Sequence, residues 1–190
     1  MRLDENKLSQ LRVWVRAKVG QDRFAHILGV EKASRSLARK YGLKEQPLRA
    51  AALLHDSAKE MSQSQMAALF RKGPFRLDGG EKALPALWHP QAGANLAYHH
   101  WKIRYPEVLD AIRCHTLGRP GMGKLAQALF VADYIEPGRR FAGLSKARRA
   151  AQESLSEGVT VKAAQTIEYL LSKGRKVHPR LVETWNAFLG

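Results

Sequence analysis

Residues 51–60 of the chain read AALLHDSAKE. Ala51 to Leu54 form an apolar run that belongs in a helix core, and Pro47 suits the first turn of that helix. The run ends on His55 and Asp56, with Lys59 three residues past the carboxylate. A neutral imidazole beside a carboxylate offers ligands that hard-to-borderline divalent metals accept without any thiolate. Seven histidines and six aspartates make one such dipeptide an easy accident, so its weight depends on what surrounds it.

On either side of this stretch, apolar residues recur at helical spacing. Upstream stand Leu8, Leu11, Val15 and Val19, then Phe24, Ile27 and Leu28, then Leu37, Ala38 and Tyr41 before a helix stop at Gly42. Downstream, Ser62 and Gln65 make a capping-box pattern ahead of Met66 to Phe70, and Gly73 to Gly80 reads as a loop. Pro90 suits the first turn of a helix through Asn95 to His100, which leaves His89 at its boundary with the ring free to turn inward. Pro106 plays the same part for a helix over Glu107 to His115. Gly118, Pro120, Gly121 and Gly123 then make Leu117 to Gly123 a loop. A helix from Lys124 carries Leu125, Leu129, Ala132 and Asp133 on or near one face and stops at Pro137-Gly138. Two or three amphipathic helices fill Ser145 to Leu189. With no alternating strand run, internal repeat or low-complexity tract, the expected fold is an all-α helical bundle.

At 190 residues the chain is expected to form a single domain over 1–190, with the last fifty residues carrying no recognisable motif. No segment approaches the roughly 18 consecutive apolar residues of a membrane span. The stretch Met1 to Gln10 has no signal-peptide core, and the one cysteine, Cys114, excludes an intramolecular disulfide, so a cytoplasmic location is expected. Against 17 Asp and Glu, 32 Lys and Arg leave a net charge of +15. Such a field suits an anionic partner: a polyphosphate, RNA or an acidic membrane surface.

His55 and Asp56 have company. His26 in RFAHILGV, His89 in LWHPQAGA, His115 in AIRCHTLGR and Asp133 in FVADYIEPGR all sit where apolar packing is expected. One buried histidine is more often a hydrogen-bonded core residue than a ligand. Burying four imidazoles and two carboxylates separately, however, costs on the order of several kcal/mol each, whereas shared metal ions satisfy them together. Cys114, about 100° around the helix from His115, reads as a small core residue.

The spacing resembles the HD superfamily, whose H…HD…D pattern falls on His26, His55, Asp56 and Asp133. His89 and His115 match the expanded form of that pattern, in which Asp56 bridges a second metal. More narrowly, RFAHILGVEKAS, AALLHDSAKE, WHPQAGA, AIRCHTLGRPGM and FVADYIEPGRRF, spanning about residues 23–141, resemble successive motifs of the YqeK family. Ile27 and Leu117 depart from it where smaller polar residues are expected, and neither removes a ligand. The resemblance implies an HD-domain helical bundle and symmetrical hydrolysis of diadenosine tetraphosphate to two ADP. It also implies two divalent ions, iron first, with manganese or cobalt equally compatible with the N/O donors. His26, His55, Asp56 and Asp133 would hold one ion, and Asp56, His89 and His115 the other. Ions roughly 3.5–4 Å apart would share a bridging hydroxide for in-line attack at phosphorus.

Around these ligands, Lys59 is expected to neutralise a substrate phosphate or orient Asp56. Arg119 and Arg139 are placed to reach phosphate oxygens, and Thr116 and Gly118 to add a hydroxyl and a backbone N–H. Trp88 or Tyr134 could stack an adenine. His99, His100 and His178 fall outside the pattern and are expected to face solvent or cap helices. The alternatives are hydrolysis of another nucleotide by the same centre, as in nucleotidases or ppGpp-type hydrolases, a regulatory nucleotide binder, or a non-enzymatic basic module bound to RNA or the ribosome.

Overall fold

The computed structural model describes residues 3–189; of the chain read as one domain, residues 1, 2 and 190 lie outside them. No strand occurs among the described residues. The helices are α1 (Glu5–Arg16), α2 (Gln21–Lys40), α3 (Glu45–Leu54), α4 (Gln63–Lys72), α5 (Gly79–Lys82), α6 (His89–His99), α7 (Pro106–Cys114), α8 (Lys124–Ile135), α9 (Leu144–Glu153), α10 (Leu155–Ser172) and α11 (Pro179–Phe188). A single 3-10 turn, Pro85–Leu87, precedes α6.

Two helices lie innermost because their sequences leave them no polar face. Every residue of α3 from Pro47 to Leu54 is buried, as are Leu125, Ala126 and Ala128 to Ala132 of α8. The consecutive alanines of α3 let α1, α2 and α7 approach it closely, and α2 and α7 also pack on α8. Helices α4 and α6 form one flank, while α10 lies on α8 and carries α9 and α11. The main core runs from Leu8 to Leu181, so the motif-free C-terminal helices share it with the N-terminal ones.

Local signals act as the residue types require. Ser62 and Gln65 cap α4 reciprocally, and Asp78 and Glu81 do the same for α5, a helical turn within what reads as the end of a loop. Helix α3 begins at Glu45, two residues before Pro47, because only its first N–H groups lack partners and a proline is tolerated anywhere in that turn. Gly118 has φ +65°, and a Cβ there would lie 2.5 Å from Thr184 Cγ2, so the loop after His115 closes directly onto α11. The Thr184 hydroxyl donates to the Leu117 carbonyl at 2.8 Å across the same contact.

One charged residue lies inside α3. Arg49 donates to Glu31 of α2 at 3.0 Å and to Glu5 of α1 and Glu45, while Arg12 reaches Glu31 at 2.7 Å. Glu31 therefore ties three helices through a buried ion pair. Glu31→Ala is expected to lower the unfolding free energy by about 3 kcal/mol, since it leaves the Arg49 charge buried with its inner partner gone. Chemical denaturation measures this; a loss below about 0.5 kcal/mol would show the pair to be idle.

Candidate metal centre

Three of the four expected histidines sit at helix ends, and each ring solves the same hydrogen-bonding problem in the same way. The last carbonyls of a helix have no intrahelical partner. His55, the C-cap of α3, sets Nδ1 against the Ala52 carbonyl at 2.7 Å, and His115, the C-cap of α7, sets Nδ1 against Ile112 at 2.7 Å. His89, just past the 3-10 turn, uses the Ala86 carbonyl at 3.0 Å. A carbonyl only accepts, so each Nδ1 carries the proton and each Nε2 presents a lone pair. His26 lies inside α2, where carbonyls are taken by the helix; its Nδ1 faces the Glu136 carboxylate at 3.3 Å instead. Glu136 reaches it because Gly29 has no side chain: a Cβ there would stand 2.3 Å from Glu136 Oε2.

The free Nε2 atoms converge on Asp56. Its Oδ2 is 3.9 Å from His26 and 3.6 Å from His55; its Oδ1 is 3.3 Å from His89 and 3.5 Å from His115. The two Nε2 atoms of His89 and His115 stand 3.1 Å apart, both acceptors and unable to bond to each other. Nε2 of His26 and of His55 is buried with no hydrogen-bond partner at all. Asp133 Oδ1 completes the first set, 3.1 Å from His26 and 4.0 Å from His55. Lone pairs collected in this way, without protons between them, fit cations. Two groups within metal-holding reach result, His26-His55-Asp56 and Asp56-His89-His115, with Asp56 common to both.

Electrostatics keep these side chains in their ligand forms. Burial pushes the His55 ring down to about 4 and holds the His89 ring well below its usual value, against the opposing pull of Asp56. Burial alone would raise the Asp56 and Asp133 carboxyls. Both nevertheless stay well below the usual carboxylate range, Asp133 chiefly through the Lys162 ammonium beside it.

Of the residues expected to bind substrate, three lie at the centre. Lys59 Nζ lies over the His89 ring, 3.3 Å from each nitrogen, and Thr116 Oγ1 is 3.3 Å from His89 Nε2. Arg139 holds Asp133 Oδ1 at 3.3 Å and lines the mouth, a 650 Å³ cavity that also includes Arg23, His26 and Glu60. Two of the expected donors are engaged within the loop itself. The Gly118 N–H donates to the Cys114 carbonyl at 2.7 Å, closing α7, and Arg119 grips both oxygens of Asp110 at 3.2 and 2.9 Å. The loop's own structure takes both donors. Trp88 is also committed elsewhere, donating its Nε1–H to the Glu81 carbonyl at 2.8 Å and packing on Phe70. Cys114 is a buried core thiol, pushed by burial up to about 12. His178 caps α11 and His100 stacks on Trp14.

Three contributors were not foreseen. Arg23 donates to Asp56 Oδ2 at 2.7 Å, and Glu136 supports His26 as described. Both lie inside motifs that point to their neighbours. Lys162 of α10 is 4% exposed and donates to the His115 carbonyl, the Phe130 carbonyl and Asp133 Oδ2 at 2.9, 2.7 and 2.9 Å. Its only signal is a lysine on the apolar stripe of Val159 and Ala163.

Known proteins resemble this chain in sequence and in fold. The profile described as HD domain matches residues 23–138. Proteins named symmetrical bis(5'-nucleosyl)-tetraphosphatase are similar over nearly their whole length. The one from Halalkalibacterium halodurans is 35% identical over 92% of this chain and 93% of its own, and that of Bacillus subtilis 33% over 90% and 92%. A crystal structure described as a predicted HD superfamily hydrolase involved in NAD metabolism, from Clostridium acetobutylicum, superposes with a TM-score of 0.89 at 32% identity, covering 95% of each chain. With its helical fold, its converging His and Asp side chains and full-length relatives of this kind, the chain belongs to the HD-domain family, in the YqeK-type branch.

Proposed function

We propose that the chain is a metal-dependent phosphohydrolase that cleaves diadenosine tetraphosphate and similar dinucleoside polyphosphates symmetrically, giving two ADP. The observation that carries the reading is Asp56, whose two oxygens face two separate sets of unprotonated ring nitrogens. The relatives' shared name and the +15 charge support a polyphosphate as substrate.

In this reading His26, His55, Asp56 and Asp133 hold one divalent ion and Asp56, His89 and His115 the other. Iron is favoured by family resemblance, and manganese and cobalt are admitted by the donor set. Bound there, such a pair supplies Lewis acidity and an acidified water for in-line displacement at phosphorus. The chain's own groups do the rest. Lys59 and Arg139 bring positive charge to phosphate oxygens and Thr116 offers a hydroxyl. Glu136 and the three helix-end carbonyls keep the imidazoles aimed inward, and Lys162 fixes Asp133. The same reading takes the chain as one domain, which is supported among the described residues by α10 supplying Lys162 and α11 buttressing the His115 loop.

Metal-loaded enzyme given diadenosine tetraphosphate is expected to release ADP alone, read by chromatography; AMP plus ATP would reject symmetrical cleavage. Asp56→Ala is expected to lose bound metal and to cut kcat by about a thousandfold or more, as removal of a central catalytic group does. Unchanged metal content and turnover would dispose of the centre. Glu136→Gln is expected to weaken metal binding about 10–100-fold, with turnover restored by excess metal. A kcat loss that excess metal leaves in place would assign Glu136 a different role.

A further inference from the structure

The mouth of the metal centre does not end at His26. Two further cavities lie along α2 beyond it: one between Gly29 and Pro137, with Asp22 and Glu136 in its lining, and an 840 Å³ groove between α2 and α9 that shares Lys32 and Pro137 with the first. His26, Gly29, Lys32, Ala33 and Ser36 mark successive steps along this wall. At 1.5 Å per residue, Lys32 lies about 9 Å and Ser36 about 15 Å along α2 from His26. On the opposite side, Arg140 and Phe141 line both the mouth and the groove, which makes them the point where the two cavities meet.

The lining is one-sided in charge. Lys32, Arg140, Arg148 and Arg149 contribute four cations, and no Asp or Glu lines the groove. Several arginines elsewhere are neutralised: Arg12, Arg49, Arg119 and Arg180 all hold carboxylates. Here Arg148 caps the carbonyls of Ile135 and Glu136, and Arg140 contacts only backbone carbonyls. Neither Lys32 nor Arg149 has a hydrogen-bond or ion-pair partner. Phe141 is 37% exposed and rests on Tyr134 at 4.8 Å between ring centroids, giving an aromatic face beside these charges. Unpaired cations in a concave site attract a polyanion, and a supported ring is a platform for a base.

We propose that this groove is the subsite for the second half of the substrate, the nucleoside diphosphate unit distal to the metal centre. This rests on the dinucleoside polyphosphate reading given above. Lys32, Arg140 and Arg149 hold its phosphates, Phe141 stacks its base, and the α2 wall sets the distance between that base and the cleaved bond. The groove thereby selects substrates with a nucleoside at both ends over those with one.

The test compares wild type with K32E/R149E and, separately, Phe141→Ala, all metal-loaded. Calorimetric binding and KM are measured for diadenosine tetraphosphate and for adenosine 5'-tetraphosphate, which has the same phosphate chain and only one nucleoside. Both variants are expected to weaken the dinucleotide about tenfold; K32E/R149E weakens adenosine tetraphosphate as well, because its terminal phosphates reach the same cations, whereas Phe141→Ala weakens it less than twofold, with metal content unchanged in both. A Phe141→Ala loss that is equal for the two compounds would overturn the proposal, because adenosine tetraphosphate has no second base to stack. Wild-type behaviour of both variants toward the dinucleotide overturns the groove while leaving the substrate reading intact. A wild-type enzyme that binds neither compound removes the substrate reading and this proposal with it. RNA binding lost in K32E/R149E, with the dinucleotide KM unmoved, would reassign the groove to nucleic acid.

Discussion

Burying four imidazoles and two carboxylates in an apolar helical bundle is the constraint on which the rest of this structure depends. Each such group, placed alone in a core, gives up hydration that apolar neighbours cannot replace. The fold answers by aiming them all at one point and by satisfying the outward side of each ring separately. Three rings use carbonyls that a helix end leaves free, so the termination of α3 and α7 at His55 and His115 is also what orients the ligands. His26, inside a helix, has no such carbonyl and requires Glu136. Glu136 in turn requires the bare backbone of Gly29.

A second layer balances the charge. Asp133 is held by Lys162, itself tied to the His115 carbonyl at the end of α7 and to the Phe130 carbonyl within α8, and Asp56 is held by Arg23. Lys162 comes from a helix far along the chain, and Thr184 of α11 shapes the loop after His115. The C-terminal helices are therefore part of the site's architecture and do more than cover the core. The positive charge is also unevenly used. Much of it is paired with carboxylates along the bundle, whereas the cations between α2 and α9 face no acid.

Much of the fold was legible because helical signals are local. Periodic leucines and alanines, the Ser62 cap, the prolines before α6 and α7 and the glycine-rich stretch after His115 act within a few residues of themselves. The six polar residues that converge were legible for a related reason: each interrupts an apolar pattern that has no local use for it. That Arg119 and Gly118 are engaged within the loop was not legible, because proximity in sequence to His115 says nothing about which donors the loop consumes. Asp110 lies on the preceding helix, and the Cys114 carbonyl at its end.

By itself the sequence determined the helical class, the approximate element boundaries and the side chains that meet at the centre, since these follow from periodicity and from polar residues in apolar surroundings. Only the tertiary structure decided which ring nitrogen faces inward, that Asp56 turns one oxygen to each group, and that Lys162 and Glu136 support the ligands. It alone decided, too, that a groove lined by no acid lies between α2 and α9. Those facts depend on distances between residues far apart in the chain, 110 positions for His26 and Glu136, and no local pattern encodes such a distance.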